Sequence, residues 1–283
     1  MSRGRRRSRR TPVSTGAQSD AASQAAEPVV RSRRWLLGGV AVIAAMLLAL
    51  GAVASCLVLS GSDEPAGPPK AVIVDQLSLT FPNPQFADQA TATLEDAGYV
   101  VDYYAGDEVD VELYRHLPQQ GYDLVVLRAH SARIQGVYQG RQLDEAVIFT
   151  NEPYNDQDYL PEQVNARLDV AYTQEGAPKY FGITADFVEL SMGGDFDGAT
   201  VIMMGCEGLA SDRTAEAFVA KGADHYVSWS DTVSATHTDA ATERLIEYIA
   251  GDGASVDDAV ARTMSELGAD PAYNSELRAY PRD

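Results

Sequence analysis

Residues 199–208 read ATVIMMGCEG, an apolar run that ends in a glycine, a cysteine and an acidic residue. A second run, residues 123–131, reads DLVVLRAHS and ends near a histidine. Short apolar runs of this kind are typical of buried strands. In α/β folds, functional groups gather at the carboxyl ends of parallel strands. The two runs therefore predict that His130 and Cys206 lie close together at one edge of a sheet.

Strand and helix signals alternate on both sides of these runs. Further strands are predicted at residues 71–75, 99–104, 146–150 and 225–229. Helices are predicted at residues 85–97, 111–117, 211–220, 238–249 and 256–267, with Ser211 as the N-cap of the third. Residues 151–160 are typical of a polar loop, and residues 180–190 mix strand and helix signals. The alternation predicts an α/β domain over residues 71–283, with helices on both faces of a mostly parallel sheet.

Cys206 and His130 have the chemistry of a nucleophile and its base. A free thiol is mostly protonated at neutral pH, and a nearby imidazole or helix N-terminus raises its thiolate fraction. The helix predicted to begin near Ser211 would bring its positive end close to Cys206. His130 would protonate a leaving amine and later activate water. The alternative remains open that Cys206 is a small buried apolar residue, as most free cysteines are.

Three blocks that include Cys206 resemble a known family. Residues 201–208 (VIMMGCEG), 215–223 (AEAFVAKGA) and 226–229 (YVSW) are similar in order and spacing to the catalytic core of caspase-like cysteine peptidases. The similarity is greatest to the CHAT-domain and gingipain/clostripain branches. Residues 129–131 (AHS) occupy the place of the family's histidine strand. The resemblance covers roughly residues 71–270 and implies a caspase-like three-layer sandwich with a His130/Cys206 dyad.

The resemblance also implies roles for residues around the dyad. The backbone N–H groups of Ser131 and Cys206 would form the oxyanion hole, although the family commonly has glycine at the position of Ser131. Trp229 and the segment that follows it would help to build the substrate pocket. Asp231, the one charged residue in that segment, would pair with an Arg or Lys side chain of the substrate. The alternative is that Asp231 caps the following helix.

Composition and charge limit the kinds of partner. The apolar fraction of 45% allows a sizeable core. Residues 35–283 carry 13 basic and 39 acidic residues, a net charge of −26, which disfavours nucleic acid and favours basic peptides. No zinc-ligand spacing or nucleotide fingerprint occurs, so neither a metal nor a cofactor is expected. Calcium in the acidic segments at residues 151–158 and 195–197 stays open as a less favoured alternative.

The N-terminal part predicts a membrane anchor. Residues 1–34 hold nine arginines and two acidic residues, a net charge of +7, and are expected to form a disordered cytoplasmic tail. Residues 35–60 form the predicted transmembrane helix, since residues 36–60 contain no charge over 25 positions and Trp35 stands at their edge. Residues 61–70 (GSDEPAGPPK) form a short linker. The positive-inside rule puts the acidic domain outside the cytoplasm.

Alternatives remain for the membrane anchor and for the function. The anchor could instead be a lipoprotein signal, because residues 53–56 (VASC) resemble a bacterial lipobox that ends at Cys56. The main functional hypothesis is a membrane-anchored cysteine endopeptidase that acts on peptides or proteins. An inactive caspase-like binding or sensor module is the second. A doubly wound binding scaffold, in which His130 and Cys206 are placed by chance, is the third.

Topology can be tested by digestion of intact cells. An added protease should remove the chain after about residue 61 and spare the Arg-rich tail, because the predicted anchor keeps the tail inside. Mass spectrometry of the retained fragment measures this, and permeabilised cells, in which the tail should also be digested, serve as the control. A chain that begins at a lipidated Cys56 would contradict the uncleaved anchor.

Overall fold

A computed structural model describes residues 67–281, which alternate between strands and helices. The strands are β1 (Lys70–Asp75), β2 (Val100–Ala105), β3 (Leu124–Arg128), β4 (Ser131–Tyr138), β5 (Arg141–Pro153), β6 (Leu168–Ala171), β7 (Tyr180–Ile183), β8 (Thr200–Met203), β9 (His225–Trp229) and β10 (Leu277–Tyr280). The helices are α1 (Pro84–Asp96), α2 (Val111–His116), α3 (Leu160–Val164), α4 (Ala185–Leu190), α5 (Arg213–Ala220), α6 (Ala235–Ile246) and α7 (Val256–Leu267). The described residues belong to one compact unit, Ala66–Asp283.

The main sheet has six strands in the order β10-β9-β8-β3-β1-β2, and only β10 runs antiparallel to its neighbour. This confirms the predicted mixed α/β class with a mostly parallel sheet. From β1 the chain proceeds to β2 on one side, and β3 lies on the other side of β1. The strand order thus reverses between β1 and β3, and ligands of open α/β sheets bind at the carboxyl ends of strands beside such a reversal.

Helices cover both faces of this sheet. Val72 and Val74 of β1 belong to a core that includes residues of α2, α4 and α5. Ala71 and Ile73, which point to the opposite face, belong to a second core that includes residues of α1, α6 and α7. Strands buried on both faces must be apolar at every position rather than at alternate positions. This requirement explains why β1, β3 and β8 could be recognised as continuous apolar runs.

A second, antiparallel sheet with the order β4-β5-β7-β6 begins directly after His130. Sequence analysis predicted only residues 146–150 of it. In the β4–β5 hairpin, Gln139 and Gly140 both have positive φ angles of 48° and 83°, as a tight two-residue hairpin turn requires. The outer half of the hairpin is exposed, so it lacks the apolar run that marks a buried strand. Only two residues, Ala129 and His130, separate β4 from β3.

Three predicted boundaries are corrected by the structure. Helix α5 begins at Arg213 with Asp212 at the N-cap, whereas the hydroxyl of Ser211 donates to the backbone oxygen of Asp144 at 2.6 Å. Helix α6 begins three residues earlier than predicted, after Ser234 at its N-cap, so Asp231 does not cap it. Residues 180–190 divide into β7 and α4, which explains their mixed signals.

The predicted cytoplasmic tail, transmembrane helix and most of the linker fall on residues 1–66, outside the described part of the chain. Within residues 67–281, no helix is both long and apolar enough to cross a bilayer. The anchor therefore stays a prediction from the sequence.

A buried ionic cluster joins the carboxyl end of the main sheet to α6. Arg128, the last residue of β3, has 0% of its surface exposed. Its Nη1 donates to Asp75 Oδ1 of β1 at 2.7 Å, and its Nε donates to Asp239 Oδ1 of α6 at 2.8 Å. Two carboxylates thus surround one guanidinium group. Removing the cation would leave both carboxylates buried without a counterion, with only Tyr103 donating to Asp75 and Asn83 to Asp239, which is more costly than leaving out all three charges.

We predict that Arg128→Met lowers the free energy of unfolding by about 3–5 kcal/mol, because two buried carboxylates lose their counterion. Urea denaturation followed by circular dichroism measures the change. Arg141→Met is the matched control, since Arg141 is exposed and its buried partner Asp186 keeps a second cation, Arg213; it should change the stability by less than about 1 kcal/mol. Equal effects of the two substitutions would contradict the importance of the cluster.

Candidate active site

His130 and Cys206 line the same cavity, of about 370 Å³, at the carboxyl ends of the main sheet. β3 and β8 are neighbours, Leu127 pairs with Met203, and each of the two predicted residues lies three positions after its member of this pair. The remaining wall comes from six places: the segments after β1, β3, β8 and β9, the beginning of α6 and the segment before β10. Its residues are Leu77, Phe81, Ala129, Met204, Gly205, Thr232, Val233, Ser234, Ala235, Thr238 and Tyr273.

The position of His130 is fixed through its backbone and its ring. Its amide donates to Gln76 Oε1 at 2.9 Å, and Nε2 lies 3.3 Å from Thr80 Oγ1. The ring packs edge-on against Phe81 and at a tilt against Phe149, with centroid distances of 5.7 and 5.8 Å. Burial lowers the pKa of His130, and the positive charge of Arg128 lowers it further. The imidazole is therefore neutral at physiological pH and able to accept a proton.

Cys206 is presented by a tight turn after β8. A Cβ on Gly205 would lie 2.4 Å from Ser131 Oγ and 2.5 Å from the backbone oxygen of Ala129, so only glycine fits at this position. Glu207 has a positive φ of 58°, and its amide donates to the backbone oxygen of Asp231 at 3.0 Å. The chain after β8 thus turns away from the sheet and leaves the Cys206 side chain at the cavity wall.

The surroundings of Cys206 raise the pKa of its thiol, whereas the sequence predicts surroundings that favour the thiolate. Burial raises its pKa, and the negative charges of Glu207, Asp231 and Asp270 raise it further. Helix α5 begins at Arg213, two residues after the predicted start, and the net shift of the thiol pKa is upward. The expectation that the surroundings of Cys206 favour the thiolate is therefore wrong for this conformation: the cysteine is a thiol at neutral pH.

Each member of the dyad is bonded to another group. The Cys206 thiol donates to the backbone oxygen of Val233 at 3.7 Å, and His130 Nε2 is paired with Thr80. No hydrogen bond joins the two side chains in the residues that the structure describes. The structure thus brings a neutral imidazole and a protonated thiol into one cavity without connecting them. Catalytic hydrogen bonds are often long in ligand-free enzymes and tighten when the substrate binds.

The two amides predicted to form an oxyanion hole are held side by side. The hydroxyl of Ser131 donates to the backbone oxygen of Cys206 at 2.5 Å. The amide of Phe149 donates to His130 O, so the next pair, Ser131 and Ile148, is a non-hydrogen-bonded pair and the Ser131 amide points away from β5. Among residues 67–281 the Cys206 amide has no hydrogen-bond acceptor. Neither amide thus has an acceptor among the described residues, and of the two residues only Cys206 lines the cavity.

Trp229 and Asp231 lie outside the cavity wall. Trp229 is only 1% exposed, and its indole N–H donates to Thr238 Oγ1 at 2.9 Å, so it supports the wall from behind instead of contacting a ligand. The Asp231 carboxylate is exposed and accepts from the amide of Thr232 at 2.7 Å. The predicted direct contacts with substrate are therefore not seen for either residue: Trp229 supports the cavity wall, and Asp231 lies at the rim.

Two structural residues of the site were missed by sequence analysis. Besides holding the His130 amide, the buried side chain of Gln76 donates to Asn151 Oδ1 at 2.7 Å. The buried carboxylate of Asp270 accepts from the amides of Ser234 and Tyr273, both at 2.9 Å, and so joins two segments of the cavity wall. Both residues act on partners far away in the sequence, and no short motif marks them.

Metal ligands are not gathered in the described part of the chain. Residues 67–281 contain no group of three or more His, Cys, Asp or Glu side chains arranged to hold an ion. In the acidic segment considered for calcium, Asn155 Nδ2 donates to Asp158 Oδ2 at 2.9 Å, so these side chains bond to each other.

Comparison with known proteins gives no assignment. No model of a known protein family matches this chain, and no curated protein matches it in sequence. Any functional conclusion therefore rests on the geometry and chemistry of the cavity.

We predict that the alkylation of Cys206 by iodoacetamide has its pH midpoint above that of free cysteine in the same buffer, because burial and three carboxylates raise the pKa of the thiol. Since only the thiolate reacts, alkylation should be slow at neutral pH and accelerate as the pH rises through that raised pKa. The rate is followed by the mass of the peptide that contains Cys206, which separates it from Cys56.

Glu207→Gln should lower this midpoint, because the substitution removes a negative charge near the thiol and keeps an acceptor for the amide of Arg133. Asp258→Asn, an exposed change in the first turn of α7, is the control and should leave the midpoint unchanged. A midpoint below that of free cysteine would contradict the electrostatic description of the site.

Proposed function

We propose that this protein is a cysteine peptidase of the caspase-like type, in which Cys206 is the nucleophile and His130 the general base and acid. The observation that carries the proposal is the placement of both residues at equivalent positions after the neighbouring parallel strands β3 and β8, in one cavity. The resemblance of residues 201–208, 215–223 and 226–229 to the family core supports it independently. The sheet itself establishes only the α/β class.

The reaction follows from the protonation states of the two residues. The neutral imidazole of His130 takes the thiol proton of Cys206, and the thiolate attacks the carbonyl carbon of the scissile peptide bond. The amides of Ser131 and Cys206 donate to the oxygen, which becomes negative. The C–N bond then breaks, and His130 gives its proton to the leaving amine. In the second half, His130 takes a proton from water, which attacks the thioester and releases the acid and the thiol.

A proton transfer within the reaction fits the resting electrostatics better than a preformed ion pair. The pKa of the thiol is raised and that of the imidazole is lowered, so a thiolate–imidazolium pair is disfavoured before substrate binds. The thiol must also leave the backbone oxygen of Val233 before it can reach His130. Substrate binding beside Val233 would break this bond, and the reaction would then begin only on an occupied site.

The same bond supports the second candidate, an inactive caspase-like binding or sensor module. In that case Cys206 would stay bonded to Val233 when a peptide binds, and His130 would stay bonded to Thr80. The two candidates share the fold and the cavity, and they differ in whether a peptide electrophile reacts with Cys206.

The location of the protein at a membrane and its preference for a basic residue in the substrate remain proposals from the sequence. The charge-free run within residues 35–60 supports a membrane anchor, with the catalytic domain outside the cytoplasm. The preference for Arg or Lys that Asp231 suggested also stays a prediction. Because Asp231 is exposed and does not line the cavity, a basic residue would be recognised at the rim.

A peptide with an electrophilic carbonyl should label Cys206 in the parent protein, and Cys206→Ala should abolish both labelling and peptide hydrolysis. His130→Ala should lower the rate of hydrolysis by about 10²- to 10⁴-fold, because general acid and base catalysis is lost. His116→Ala, which removes an exposed histidine of α2, is the matched control and should retain full activity. Binding of a peptide without labelling of Cys206 would favour the inactive module.

A further inference from the structure

We propose that the cavity beside Cys206 binds a large apolar side chain, that of the substrate residue whose carbonyl carbon the thiol attacks. The inference rests on the proposed peptidase function and adds the class of substrate. Leu77 and Phe81 form one side of the cavity, Val233 and Tyr273 contribute apolar surface from other segments, and Met204 lies next to the nucleophile's turn. The lining contains no Asp, Glu, Lys or Arg side chain.

Two aromatic residues of the lining are exposed to solvent. Phe81 and Tyr273 each have 52% of their surface exposed, although both are large and largely apolar. They lie on separate segments, one after β1 and one before β10, and both contribute to the wall of the cavity. An apolar side chain between them would remove this surface from water, which is the main source of affinity in such pockets.

Two polar side chains of the lining, Thr238 and Ser234, already have partners. Thr238 Oγ1 donates to the backbone oxygen of Met204 at 2.8 Å and accepts from Trp229 at 2.9 Å. The hydroxyl of Ser234 donates to Asp270 Oδ2. An ammonium or guanidinium group in the cavity would therefore find few free acceptors, and the burial of a charged group without a partner is unfavourable.

The carboxylates near the thiol do not provide a buried partner for a basic side chain. Asp270 accepts four hydrogen bonds, from the amide and hydroxyl of Ser234 and from the amides of Ala272 and Tyr273. Glu207 Oε2 accepts from the amide of Arg133 at 3.1 Å, and Asp231 Oδ1 from that of Thr232. Their bonds serve the backbone of the loops, and none of the three side chains lines the cavity.

The position of the cavity indicates which substrate residue it holds. Three of its segments, residues 204–206, 232–235 and Tyr273, are joined to the nucleophile, because Val233 accepts from its thiol and Asp270 links Ser234 to Tyr273. The acyl group stays on the nucleophile after the amine has left. On the other side of His130, the ring is covered by Phe149 of β5, which does not line this cavity. The acyl side of the substrate is therefore the side that the apolar wall can recognise.

The test uses the full-length chain and fluorogenic peptides that differ only in the residue before the scissile bond: Phe, Leu, Arg or Asp. The value of kcat/KM should be about tenfold or more higher for Phe and Leu than for Arg and Asp, as one or two apolar groups in a pocket allow. Tyr273→Ala should lower the value for the Phe peptide by about tenfold, because it removes one wall. Tyr172→Ala, an equally exposed tyrosine of the second sheet region, is the control and should change nothing.

A gain-of-function variant makes the test sharper. Thr232→Asp places a carboxylate in the lining and should shift the preference towards Arg by about tenfold, since it offers a guanidinium group the partner that the parent cavity lacks. Circular dichroism spectra that match the parent show that Tyr273→Ala and Thr232→Asp are folded, and complete labelling of Cys206 by iodoacetamide at high pH shows that their thiol is accessible.

The outcomes separate this inference from the proposed function. If the parent cleaves the Arg or Asp peptide best, the apolar pocket is overturned while the peptidase stands. If Tyr273→Ala does not change the selectivity, the assignment of the wall is overturned. If no peptide is cleaved and no peptide electrophile labels Cys206, although iodoacetamide does at high pH, the peptidase function fails and the substrate class fails with it.

Discussion

The buried ion cluster of Arg128, Asp75 and Asp239 is the constraint on which the site depends. It ties the ends of β1 and β3, which are paired in the sheet, to the second turn of α6. Arg128 Nη2 also donates to the backbone oxygen of Phe81 at 2.9 Å. The segment that follows β1 is thereby held against the ring of His130. Because an uncompensated charge in this place is costly, the arrangement tolerates little displacement of any of these elements.

The same cluster contributes to an unusual distribution of charge across the cavity. A cation lies near the imidazole and carboxylates lie near the thiol, so each group of the dyad has a neighbour that opposes its ionised form. The resting site is therefore neutral on both sides. An activated cysteine usually has the reverse arrangement, with positive charge or a helix N-terminus near the sulfur. Here the proximity of the two groups, and not the field around them, has to provide the reactivity.

The sequence predicts those parts of this molecule that are determined locally. The strands that deliver His130 and Cys206 are apolar except at Arg128 and Thr200 because both of their faces are buried, and α7 was predicted with its observed bounds, Val256–Leu267. The β4–β5 hairpin was missed because its outer half is exposed and its turn has a glutamine at the first position of positive φ. Gln76 and Asp270 were missed because their partners are distant in sequence. The electrostatics of Cys206 were misjudged because they depend on the start of α5 and on carboxylates from three loops.

The link between the two sheets is only two residues long, and this restricts where the chain can gain residues. Side chains alternate between faces along a strand, so one residue inserted between Arg128 and Ser131 would turn His130 or the whole of β4 to the opposite face. Such an insertion would separate the histidine from the cysteine or bury the polar face of the hairpin. At the far end, the turn at Gln139 and Gly140 is free of this restriction, because extra residues there project into solvent. Domains that descend from this one can lengthen the hairpin at its tip, but the link must keep its two residues.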